Sequence, residues 1–143
     1  MKNNCESLRL ENQLCFPLYV CSKEIVKRYK PFLDTIGLTY TQYIVMMVLW
    51  EHKELNVKEL GKCLFLDSGT LTPLLKKLEQ KEFVTRKRNV KDERVLQVAI
   101  TEKGEQLKEK AMEIPAKFSA CVPLEQEDAL KLYEILNKML NNF

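Results

Sequence analysis

The chain has 143 residues, 45% apolar and 30% charged, with a formal net charge of +3. That length suits one unit whose core needs no disulfide or metal staple, and the composition excludes a disordered chain. No apolar run reaches the ~18–20 residues of a bilayer span, and the opening stretch MKNNCESLRLENQ has no apolar leader core. A cytoplasmic setting without a membrane partner is therefore expected.

Five cysteines (positions 5, 15, 21, 63 and 121) form no CxxC pair, and His52 is the single histidine. This pattern predicts resting thiols, with no metal site or other cofactor. Charge is unevenly spread. Between Lys76 and Arg94 there are eight basic and four acidic residues, a net +4 against +3 for the whole chain. A basic segment of that kind is what meets phosphates.

Taken in order, apolar residues at 14, 18, 21, 25, 29 and 32 mark a helix over 14–34. Pro17 lacks an N–H and fits only a first turn, which starts the helix near Gln13 or Leu14 and puts Cys15 in that turn. A longer helix from about Leu8, kinked at Pro17, is the alternative. After the break Ile36-Gly37-Leu38, Thr39 caps a helix over 40–52 that is apolar on nearly every side and so central, with His52 at its end. Val57, Leu60 and Leu64 mark a short helix. A turn over 66–69 follows, and then Leu71, Leu74, Leu75 and Leu78 at i, i+3, i+4 and i+7, read as core, with Pro73 placed in a first turn. Two helices joined by a short glycine-containing turn make a helix-turn-helix. FVTRKR and VLQVAIT around the polar NVKDER predict a β-hairpin, a wing. Thr101 opens a helix running through Leu107, Ala111, Ile114 and Phe118 and bent at Pro115. Pro123 precedes a last helix, LEQEDALKLYEILNKML.

The fold class is thus mainly α with a small β-hairpin: a winged helix-turn-helix over 38–100 in a single chain, 1–143. The flanking helices, 9–36 and 102–143, have nothing else to cover and are expected to form a dimerisation region.

The stretches LENQLCF (10–16), YKPFLD (29–34), LTYTQYIVMMVLWEH (38–52), LFLDSGTLTPLLKKLEQ (64–80), TRKRNVKDERV (85–95) and ITEKGEQLKEKA (100–111) resemble the MarR family of bacterial regulators. Within it, they resemble the branch that senses organic hydroperoxides. The resemblance implies a homodimer on a pseudo-palindromic double-stranded DNA operator, with a peroxide as oxidant. The second helix of the helix-turn-helix would enter the major groove with Asp67, Ser68, Thr70, Thr72 and Lys76. Lys77, Arg86 and Arg88 would meet DNA beside it. Arg94, held by Asp92, would enter the minor groove, where negative potential is enhanced.

The same resemblance makes Cys15 the redox sensor, supported by the hydroxyls of Tyr19, Tyr29 and Tyr40, some from the partner subunit. A sensor thiol reacts as its thiolate, and free N–H groups at a helix start favour that anion. Cys121 is implied as a resolving thiol on the other subunit, with Cys5 or a small thiol as competitors. Cys21 and Cys63 are read as core or partly buried thiols. The Phe16-Pro17 pair departs from the family pattern at the sensor turn. Two other readings compete: a repressor released by a small aromatic ligand, with Cys15 incidental, and a thiol peroxidase. The second leaves the basic helix-turn-helix and wing unexplained, so a non-enzyme is expected.

Overall fold

In the computed structural model, which describes residues 5–143, two 3-10 turns (Cys5–Leu8 and Leu10–Asn12) lead into helix α1, Cys15–Asp34. Residues 1–4, the start of the stretch read for a leader, lie outside the described residues. Pro17 sits in the first turn of α1 as expected, and the long helix from Leu8 does not form.

Helix α2 (Tyr40–His52) begins at a reciprocal cap. The Thr39 hydroxyl accepts from the Gln42 amide at 3.3 Å, and the Gln42 side-chain carbonyl accepts from the Thr39 amide at 3.1 Å. Helices α3 (Val57–Leu64) and α4 (Ser68–Gln80) form the helix-turn-helix, α3 behind a similar box between Asn56 and Glu59. The turn between them is tight for two reasons. Phe65 takes a left-handed conformation (φ 54°), and a Cβ at Gly61 would lie 2.6 Å from the Leu66 carbonyl oxygen.

The hairpin forms as strands β2 (Val84–Arg88) and β3 (Leu96–Ile100). A third strand that the sequence does not announce, β1 (Glu54–Asn56), completes an antiparallel sheet of order β1-β3-β2, pairing Leu55 with Val98. Its three residues are too few for an alternation to show, and their partner lies more than forty positions away.

Helix α5 (Glu102–Ala111) is capped by Thr101, whose hydroxyl accepts from the Gly104 amide at 3.0 Å and donates to the Glu82 carbonyl at 2.6 Å. Gly104 lets α5 press on the wing base: a Cβ there would lie 2.3 Å from the Phe83 carbonyl oxygen, and Trp50 Nε1 donates to the Gly104 carbonyl at 2.9 Å. The helix expected to run through Phe118 instead breaks at Met112–Glu113. A separate α6 (Ile114–Ser119) carries Pro115 in its first turn, where the missing N–H costs no bond. Helix α7 spans Gln126–Leu140.

One core runs from Leu33 and Ile36 through Val45, Met46 and Leu49 to Leu60, Leu75, Leu78 and Val98, and on to Leu107 and Ile114. Leu71, Leu74, Leu75 and Leu78 are all buried, as their spacing predicts. Each such side chain contributes on the order of 1.5–3 kcal/mol of burial. By contrast α7 buries none of its residues and α1 buries only Leu33, so both present apolar side chains to solvent. Among the described residues no helix is long and apolar enough to cross a membrane.

Candidate nucleic-acid interface and thiol site

Helix α4 turns its leucines inward, which leaves Ser68, Thr70, Thr72, Lys76 and Lys77 together on its exposed side. Asp67 is the cap of this helix. Its Oδ1 accepts from the Thr70 amide at 2.7 Å, and hydrogen bonds from the Thr70 backbone and side chain hold the carboxyl below its usual range. As an anion it serves the helix start rather than a phosphate. The Thr72 hydroxyl donates back to the Ser68 carbonyl at 2.8 Å. Pro73 lies a turn deeper than predicted, because α4 begins at Ser68. It therefore withholds the N–H that the exposed Gly69 carbonyl would otherwise receive.

The wing separates two kinds of arginine. Arg94 is 93% exposed at its side chain, with Nε 3.3 Å and its backbone amide 3.1 Å from Asp92 Oδ1. Asp92 thus orients the base of Arg94 and leaves its outer end free, as the sequence predicts. The loop is shaped by Asn89, whose Oδ1 accepts from the Lys91 amide at 2.8 Å. Lys87 and Arg88 are exposed on β2.

Arg86, expected to meet DNA, does something else. Its side chain is only 20% exposed, Nη2 donates to Glu79 Oε1 at 3.1 Å, and its amide donates to Glu79 Oε2 at 3.1 Å. This pairing holds the Glu79 carboxyl below its usual range. The spacing could not show that β2 folds back on α4 and brings these two charges together.

Cys15 is the first residue of α1 and is exposed. Tyr19 lies one turn on, 59% exposed, with the Lys23 ammonium 4.7 Å from its ring centre. Tyr29 and Tyr40 lie elsewhere. Tyr29 packs on Tyr40 at 5.1 Å and on Tyr43 at 6.0 Å between ring centres, and it stacks on Phe118 at 3.7 Å. Burial first, then Tyr40 and Tyr43 beside it, pushes the Tyr29 phenol up to about 12, and burial likewise raises Tyr40 and Tyr43. These phenols stay protonated and can donate. Yet Tyr29 lies fourteen helical steps beyond Cys15, roughly 21 Å along the axis. Within one chain the thiol does not meet them. Tyr43, which the sequence reading missed, belongs to this aromatic layer, and its place three residues before the core position Met46 gave no distinguishing signal.

Cys121 is exposed just past α6, its Sγ 3.5 Å from the Lys117 carbonyl. The chain beyond it, Val122 to Leu124, lines a groove with Val20, Cys21 and Ile25, well along α1 from Cys15. Cys21 and Cys63, read as buried or partly buried, are both exposed in the single chain. Cys21 faces the apolar grooves beside α7, and Cys63 is exposed near the end of α3.

Residues 27–111 match the family model described as transcriptional regulator SarA/Rot. The chain is 47% identical over 140 residues to the organic hydroperoxide resistance transcriptional regulator of Bacillus subtilis (strain 168), covering 98% of this chain and 95% of that one. Among solved structures it resembles reduced AbfR bound to DNA, at TM-score 0.79 and 37% identity, covering 96% of this chain and 95% of the other. It also resembles disulfide-formed AbfR, at TM-score 0.69 and 37% identity, covering 96% and 93%. AbfR is a protein of Staphylococcus epidermidis.

Proposed function

Because the chain belongs to the MarR-type winged-helix transcriptional regulators, the group of the SarA/Rot model, we propose that it is a redox-sensing, DNA-binding repressor acting as a homodimer. It holds a pseudo-palindromic operator while Cys15 is reduced and releases it when an organic hydroperoxide oxidises that thiol. Ser68, Thr70, Thr72, Lys76 and Lys77 face the major groove, Arg88 meets the backbone, and Arg94 on Asp92 enters the minor groove. Helices α1, α5, α6 and α7 supply the dimer interface, the natural cover for apolar faces that the single chain leaves open.

The observation that carries the redox part is the placement of Cys15. It is exposed at a helix start with Tyr19 one turn on, and Tyr29 and Tyr40 are out of reach on its own subunit. A second subunit that brings its own Tyr29–Tyr40 layer to this thiol completes the site. The Cys15 thiolate attacks the peroxide oxygen, the O–O bond breaks, sulfur becomes a sulfenic acid, and the alkoxide leaves as the alcohol after taking a proton. The Cys121 thiolate of the other subunit then attacks the sulfenic sulfur. An S–S bond forms, and hydroxide leaves as water with the proton released on ionising that thiol. The segment after Cys121 lies against Val20, Cys21 and Ile25 rather than at Cys15, which supports an intersubunit bond, since bridged Cα atoms must come within ~7 Å. The fold is also nearer to the reduced, DNA-bound AbfR than to its disulfide form, which supports reading this conformation as the DNA-competent one.

A gel shift with cumene hydroperoxide and then dithiothreitol tests the proposal. Binding should be lost and regained in the wild type and should resist oxidant in Cys15→Ser. Cys121→Ser should show no crosslinked dimer on a non-reducing gel, and a persistent crosslink would remove Cys121 as the resolving thiol. Release by an aromatic acid with no response to peroxide would instead favour a ligand-operated repressor, for which the groove between Ile36, Phe83, Lys103 and Lys110 is the place to look.

A further inference from the structure

Lys81, one of the eight basic residues of the 76–94 segment, is withdrawn from the exposed face. It stands at the C-terminal end of α4, and its ammonium reaches across to the turn before α2. There Nζ donates to the Gly37 carbonyl at 2.5 Å and to Gln42 Oε1 at 3.0 Å. Among the described residues, Gln42 is the one buried polar side chain, and the same Oε1 accepts from the Thr39 amide. A single ammonium thus joins the end of the exposed α4 to the reciprocal cap from which Tyr40 and Tyr43 start. Charge-assisted bonds of this kind, made to a buried acceptor, are strong and geometrically demanding. A second tie, Glu79 to Arg86, fastens the same end of α4 to the wing.

We infer that Lys81 is a positioning residue. It pins the end of α4 to the α1–α2 turn and so sets the angle at which the helix meets DNA, without itself touching a phosphate. This inference rests on the nucleic-acid reading above. A phosphate contact and a positioning contact differ in what they do to binding. The first contributes to affinity for any duplex and to its salt dependence, by about 0.9 in the slope of log K against log salt. The second matters only where α4 must fit a groove in register.

The probe is a duplex selected by the wild-type dimer from a random pool, compared with an unselected duplex over a salt series, using reduced protein. Lys81→Met should bind the selected duplex about tenfold more weakly, bind the unselected duplex as the wild type does, and keep the wild-type salt slope. Gln42→Glu retains the accepting oxygen and should bind like the wild type. Melting curves run alongside confirm that the variants are folded, since a purely structural role would lower the melting temperature and leave the affinity of the folded dimer unchanged. Unchanged affinity of Lys81→Met for the selected duplex would overturn the inference. So would equal weakening on both duplexes with a slope lowered by about one, which would make Lys81 a phosphate contact. A wild-type protein that selects no duplex would overturn the nucleic-acid reading and this inference with it.

Discussion

Between α2 and α5 the chain buries Val45, Leu49, Trp50, Leu60, Leu75, Leu78 and Val98 in one continuous core, whereas α7 buries nothing and leaves Leu130, Tyr133 and Ile135 facing solvent. The middle region combines helices with a sheet, but its α4 and the terminal α7 are both amphipathic helices, so propensity does not separate those two. What separates them is the partner. The helix-turn-helix and the wing close on each other, because Gly61 and Gly104 allow backbones to touch and β1 seals the sheet. The outer faces of α1 and α7 find no cover within the chain. An open apolar face is covered in a stable protein by something else, the role proposed above for a second copy.

Core truncation should have the largest effect. Leu75→Ala, at a fully buried site in α4, should cost about 2–5 kcal/mol in a urea titration. An equally stable variant would mean that the middle region does not fold around α4. Arg94→Ala should weaken operator binding by about 1–3 kcal/mol while melting temperature and dimer mass stay as in the wild type. Anisotropy titrations with unchanged affinity would remove the wing from the interface. Tyr133→Glu places a charge on the open α7 face and should raise the dimer dissociation constant about tenfold, with the far-ultraviolet spectrum retained. Analytical ultracentrifugation showing an unshifted dimer would place the interface elsewhere.

The smallest effect concerns Tyr29. Its phenol, raised to about 12 from 10.0, is neutral in both folded and unfolded chains below about pH 9, so it exerts no pH effect there. Above that, the unfolded chain ionises before the folded one does, and stability should fall as pH climbs toward 12. Urea midpoints between about pH 9 and about pH 11 should show this decline, shallower in Tyr29→Phe. An identical slope in that variant would assign the decline to other groups.

Sequence alone determined the elements whose signal is local. The leucine spacing of α4, the Thr39, Asp67 and Thr101 caps and the first-turn Pro17 each act within four or five residues, so helices α1 to α4 and the hairpin were legible. The Asp92–Arg94 pair was legible for the same reason, since two residues separate its charges. The tertiary structure alone decided everything that depends on distant segments meeting. It made Arg86 a partner of Glu79, took Lys81 out of the basic face, added β1 to the sheet and exposed Cys21 and Cys63. It also put the Tyr29 layer far from Cys15, because a straight helix rises about 1.5 Å per residue and cannot fold its end back to its start. Residue type announces a basic or thiol side chain, but only packing determines whether that side chain faces DNA, an acid or a neighbouring subunit.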